Sequence, residues 1–322
     1  MKNLFPIAAI AAGLLDGAGA AALDQDVAPA VGPSSGVASA ALIPDFSGMW
    51  SHPYFPAFEP PASGPGPVTN RSRTSRGPQK DVSNFSQLAG DYTNPILRSG
   101  AAEIVKKHGE ISLNGVAYPT PSNQCWPEPV PYIFWHLGMQ MLQQADKITI
   151  FYYIDHDQFH QVRMNQPHPA QVTPSWQGDS VGRYEGDTLV IDTVGIKVGP
   201  FAMVDVYGTP YTEALHVVER YRLLDYEAAK EGLERAAREN IRASPNSFVP
   251  SLGLGDPNYR GKYLQLEFTV EDEGVFTMPW SATITYGRPP LDDWVESICA
   301  ENIREYYNNK DSAVPTANKP DF

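Results

Sequence analysis

Between Gln140 and Thr285 the chain is a succession of short runs rich in Ile, Val, Phe, Tyr and Thr, and most of the connections are hairpin-sized. The strongest pair is 180–184 with 188–194, joined by Glu185-Gly186-Asp187, where Gly186 can supply the positive φ of a tight turn. The runs 140–144 and 147–154 form a second hairpin across Ala145-Asp146, and 159–164 follows as the next strand before a Pro167-His168-Pro169 turn. Further strands are expected at 215–223, 263–270 and 275–285, the last two joined through Glu271-Asp272-Glu273-Gly274. Seven or more strands in this order, without a Gly-rich phosphate loop or a strand–helix rhythm, exclude a doubly wound sheet. The prediction is a mainly β fold, an antiparallel barrel or sandwich with a few peripheral helices. The difference matters, because a barrel of about eight strands encloses a small-ligand cavity and a sandwich usually does not.

The rest of the chain divides around this region. Met1-Lys2-Asn3, an apolar run over 4–15 and the small residues after it read as a cleavable secretory signal over 1–22. The run is too short for a membrane span, which needs ~20 residues. Residues 23–42 have no period of 2 or 3.6 and read as a disordered tether, with a single β-rich domain at 43–310 and a flexible tail at 311–322. Residues 53–80 read as a Pro/Gly-rich irregular arm. Three helices are expected. The first is 95–108, capped by Asn94 and stopped by Gly109, with His108 as a helix-end cation. The second is an exposed insertion at about 225–243, weakened by Gly232, and the third lies at 290–307. Lys and Arg number 24 against 37 Asp and Glu, a formal charge of −13, so no nucleic-acid partner is expected. Export to the periplasm or beyond permits a disulfide between Cys125 and Cys299, the two cysteines; two separate buried thiols are the alternative.

The run from Trp176 to Thr193, WQGDSVGRYEGDTLVIDT, resembles a block shared by a large group of uncharacterised exported bacterial proteins, W-x-G-x-S-x-G-x-W-E-G-D-T-L-V-V-D-T, with Tyr184 in place of the usual Trp. The similarity extends to Ala214–Tyr221, Cys125-Trp126-Pro127 and Cys299-Ala300-Glu301-Asn302. It implies export and a β-rich fold and carries over no catalytic residue. Gly48-Met49-Trp50 is similar to the Gly-x-Trp opening of lipocalin-like barrels, which makes a lipocalin-like barrel the preferred architecture.

Several constellations can carry chemistry. His156 and His160 stand four apart beside Asp155 and Asp157 near a strand end, where they can share a substrate proton or, less favourably, a metal; no cofactor is expected. Along 215–223, His216, Val218, Arg220 and Arg222 alternate with Leu215, Val217, Glu219, Tyr221 and Leu223. If the second set faces inward, Glu219 is a carboxyl in an apolar row and its pKa rises toward general-acid use, unless Arg163 or Arg183 pairs with it. If the first set does, His216 and Arg220 form an anion-accepting or acid/base pair. Tyr152, Trp176, Tyr184 and Tyr221 suit the wall of a site for a hydrophobic or aromatic molecule. Ser180 sits in a Gly-x-Ser-x-Gly string that reads as hairpin rather than nucleophile elbow. His136, Met139 and Met141 offer soft copper ligands or core filling. The sequence thus predicts a small-molecule binder, with an acid/base enzyme and a pocketless structural protein as alternatives, and fixes no oligomeric state.

Overall fold

The structure is a computed structural model describing residues 43–52, 88–114, 118–136, 138–153, 158–239, 259–289 and Cys299. The expected signal, tether, arm, third helix and tail, and His156 with its two aspartates, lie outside the described residues.

Nine strands form one sheet in chain order: β1 (Gly48–Ser51), β2 (Gly138–Gln143), β3 (Lys147–Tyr153), β4 (Gln158–Met164), β5 (Asp179–Glu185), β6 (Thr188–Val194), β7 (His216–Leu224), β8 (Tyr263–Glu271) and β9 (Trp280–Tyr286). Neighbours are antiparallel except β4 and β5, which pair in parallel at Arg163↔Val181 and Met164↔Gly182 because 165–178 crosses back before β5 begins. The sheet curls until its edges meet. Ser51 and Gly287 exchange backbone hydrogen bonds of 2.8 Å each, so the sheet is nearly closed into a barrel.

The seam explains the Gly-x-Trp string. Trp50 is buried and donates its indole N–H to the Phe46 carbonyl at 2.8 Å. The Arg288 guanidinium lies 3.6 Å from the Trp50 ring centroid and donates to the carbonyls of Met49 and Ser47. Gly48 has φ +100°, and a Cβ there would collide with that guanidinium. Only glycine allows both the backbone and the approach.

Strand alternation sends one face inward. Met139, Met141, Ile148, Ile150, Val162, Leu189, Ile191, Val217, Leu266, Phe268 and Ile284 form a continuous buried core. Cys125 and Cys299 are joined by a disulfide across a sequence separation of 174, so the segment reaching Cys299 is fastened to the 118–136 loop.

Three expectations shift. The first helix, α1, spans Ser99–Leu113 instead of 95–108. Ile96 and Arg98 are held in an extended bridge to 275–277, through Thr277 N to Ile96 O and Arg98 N to Val275 O at 2.8 Å each. The helix also continues past Gly109 to Leu113, so His108 is inside it and buried, its ring 3.9 Å from that of Tyr118, and burial pushes its pKa down to about 4. It is not a helix-end cation. The second helix, α2 (Tyr226–Glu239), falls where expected, but Gly232 abuts Thr285 so closely that a Cβ would strike its hydroxyl. That glycine marks a contact with β9. Finally, β9 starts late because the Asp272 carboxylate gathers Thr212 N, Thr212 Oγ1 and Gly274 N at 2.6–3.0 Å, and its carbonyl takes Val275 N and Phe276 N.

Candidate functional site

On β7 the inward set is Val217, Glu219, Tyr221 and Leu223, so the carboxyl of Glu219 sits inside the barrel, fully buried. Its register partners are Ile191 on β6 and Phe268 on β8, both apolar. The Tyr221 hydroxyl donates to Glu219 Oε2 at 2.6 Å. Glu219 Oε1 has no hydrogen-bond partner among the described residues. Burial pushes the carboxyl up to about 8, so it is protonated at neutral pH. Tyr152, buried on β3, comes close enough to Tyr221 and Glu219 to interact with both, yet its hydroxyl makes no well-formed hydrogen bond. Tyr286 on β9 completes the neighbourhood. Burial keeps the phenols of Tyr152 and Tyr221 protonated well beyond the ordinary tyrosine range, so both remain donors.

A second buried group continues along the same inner face. His160 Nε2 lies 2.5 Å from Ser180 Oγ, which is 2.8 Å from Thr193 Oγ1. His160 Nδ1 has no partner among the described residues, and burial lowers the imidazole to about 4, leaving it neutral. Ser180 lies within strand β5, so the Gly-x-Ser-x-Gly string forms no elbow.

The remaining candidates face elsewhere. Arg163 pairs with Asp179 at 2.7 Å, and Arg183 and Arg220 both pair with Glu185, at 2.6 and 2.7 Å. None reaches Glu219; its partner is a tyrosine, not an arginine. His216 is on the outer face, with Nε2 3.1 Å from Asp192 Oδ1 and Nδ1 3.4 Å from Glu271 Oε2. His168 bridges Asp179 at 2.6 Å and the same Asp192 oxygen at 3.1 Å. The hydrogen bond to Asp192 raises the pKa of His216 and lowers that of Asp192. Trp176 packs edge-on against Trp126 at 5.3 Å, with the Lys197 ammonium 4.7 Å from its ring centroid. Tyr184 points inward, stacks on Phe46 and accepts from Gln143, which also donates to Pro44 O and accepts from Phe46 N. It anchors the lead-in to β1.

Sequence reasoning missed Glu128. It is buried beside His136, its Oε2 against Nε2, and takes Ser122 Oγ at 2.7 Å on Oε1 while its backbone is held by Gln158 and Gln177. The one signal was a carboxylate set between Pro127 and Pro129 in an apolar stretch. Met139 and Met141 are wholly buried core residues, so no copper set assembles with His136. Among the described residues no group of three or more His, Cys, Asp or Glu is arranged to hold a metal ion, and no described helix is long and apolar enough to cross a membrane. No protein-family model, no curated protein and no solved structure matches the chain.

Proposed function

We propose that the protein is an exported binding protein that holds a small hydrophobic or aromatic molecule inside its barrel, against Glu219, Tyr221 and Tyr152. The observation that carries this reading is a protonated carboxyl with one oxygen anchored by Tyr221 and the other unpartnered among the described residues, beside a tyrosine hydroxyl that makes no well-formed hydrogen bond, in apolar surroundings. An unsatisfied buried polar group costs about 1–3 kcal/mol, which a ligand that bonds to it returns. Export is supported by the amino-terminal sequence pattern and by compatibility of the Cys125–Cys299 disulfide with an oxidising compartment. The test is titration with an environment-sensitive fluorophore that carries a neutral carbonyl on an apolar ring system: saturable binding is expected, weakened about five-fold or more in Glu219→Leu, whereas no saturable binding to the wild type refutes the proposal.

The pKa of about 8 favours a second reading, an acid/base enzyme in the same barrel, because a proton carrier works best near the operating pH. In that case Glu219 supplies the proton and Tyr221 positions it. Turnover of a bound molecule, lost in Glu219→Gln while binding persists, distinguishes catalysis from storage or transport. The outer residues His216, Arg220, Arg163 and Arg183 have no role in either reading.

A further inference from the structure

The two buried polar groups are one belt. Ser180 and Thr193 are register partners on β5 and β6, and Thr193 faces Val217, which stands two residues before Glu219 on β7. On an inward face, residues displaced by two along adjacent strands are diagonal neighbours. Across the interior, Tyr221 links Glu219 to Tyr152. Tyr152 faces Gln158 on β4, two residues before His160, so it is again a diagonal neighbour of the imidazole. The circuit therefore runs His160, Ser180, Thr193, Glu219, Tyr221, Tyr152 and back to His160, within a wall that is aliphatic and aromatic apart from Gln143 and Gln158, whose amides are engaged by Pro44 and Tyr184 and by Glu128 N and Gln177. Two of its polar atoms, Glu219 Oε1 and His160 Nδ1, have no partner among the described residues, and a third, Tyr152 Oη, makes no well-formed hydrogen bond. All belong to side chains at least nine-tenths buried.

Near pH 6 no member of the belt is charged, Glu219 being protonated and His160 neutral. Arg163, Arg183 and Arg220 are turned outward and neutralised there by Asp179 and Glu185, and Arg222 is exposed and bonds to Gln265. A charged guest would lose its hydration and gain no opposite charge, which is far costlier than the loss of a neutral hydrogen bond. We infer, building on the binding reading above, that the interior selects an uncharged molecule with an apolar ring body and a neutral oxygen function such as an alcohol or ketone, and rejects carboxylates and ammonium ions. Glu219 and Tyr152 donate to that oxygen, and His160 meets a second polar point on the guest.

The experiment is calorimetric titration of the full chain, near pH 6, with matched phenyl and naphthyl series: the hydrocarbon, the methanol, the carboxylate and the methylammonium. The neutral alcohols are expected to bind about five-fold or more tighter than the hydrocarbons, one hydrogen bond's worth, and both ions to bind about a hundred-fold weaker than the alcohols. Glu219→Leu should erase most of the alcohol's advantage and leave hydrocarbon affinity unchanged, whereas a merely structural role would weaken both; His160→Leu should leave these one-oxygen probes unaffected. Glu219→Gln, which keeps size and neutrality, should retain the alcohol within about three-fold and guards against misfolding of the apolar variants. A carboxylate or ammonium that binds as tightly as the alcohol overturns the charge selectivity while leaving a binding barrel standing. Failure of every probe to bind overturns both.

Discussion

Three buried groups, one with its pKa raised and two with theirs lowered, set the pH dependence of stability. The Glu219 carboxyl titrates near 8 in the folded chain, against a little over 4 when unfolded. The unfolded state therefore binds fewer protons between those values, and stability falls as pH rises through that window. His160 and His108 are both lowered to about 4 from an ordinary value near 6.5, so their contribution is lost as pH falls from about 6.5 toward 4. Together these place maximal stability near pH 6.5, falling on both sides. Urea unfolding between about pH 4.5 and 9 should show this maximum, and Glu219→Gln, which removes a fall running from a little over pH 4 to 8, should flatten the alkaline side and steepen the acid side; an unchanged alkaline slope in that variant would refute the assignment. Tyr184→Phe should cost about 1 kcal/mol through the lost Gln143 bond, read as a lower denaturant midpoint at constant m. The period of two on β7 was legible, including the alternative that puts Glu219 inside. Which face turns inward was not, since each carries both charged and apolar residues, and only the sheet's curl decides. His108 misled because Gly109 does not stop the helix: it lies buried inside it against Ala89, and the helix runs on to Leu113.

At the scale of elements, strand positions agree with the sequence reading to within one or two residues wherever alternation and turn residues coincide, as at β5 and β6. The parallel β4–β5 pair was not legible, because a hairpin pattern says nothing of a connection that crosses back before pairing. The late start of β9 was hidden for a related reason: Asp272 draws together Thr212 and Gly274, from two connections, and no local propensity records that. The seam is where an element depends most on single residues. Gly48→Ala adds strain at a positive φ and a collision with Arg288, and should lower stability by about 2 kcal/mol or more. Arg288→Met, which keeps the length and loses the cation over Trp50 with two carbonyl bonds, should cost a similar ~2 kcal/mol, seen together with a change in Trp50 fluorescence. Full-stability Gly48→Ala would mean that the seam does not hold the barrel.

For the described body as a whole, the nearly closed barrel surrounds a mainly apolar wall that carries the polar belt, and the disulfide ties Cys299 back to the loop carrying Glu128 and His136. Cross-linking across a separation of 174 residues constrains the unfolded chain, so reduction should lower stability by on the order of 3–5 kcal/mol, measured by unfolding with and without reductant. The cysteine pair and the β-rich architecture were legible from two residues and a rhythm of turns. The belt was not, because its members come from five strands and meet only once the sheet is curled. The claim on which the account stands is that this interior holds a small neutral molecule against Glu219, and native mass spectrometry of the protein purified from an exported fraction tests it most directly. A discrete mass excess is expected in the wild type, released on unfolding as an uncharged ring compound and reduced in occupancy in Glu219→Leu. A wild-type mass equal to that of the bare chain, unchanged after incubation with the neutral ring alcohols, would contradict it.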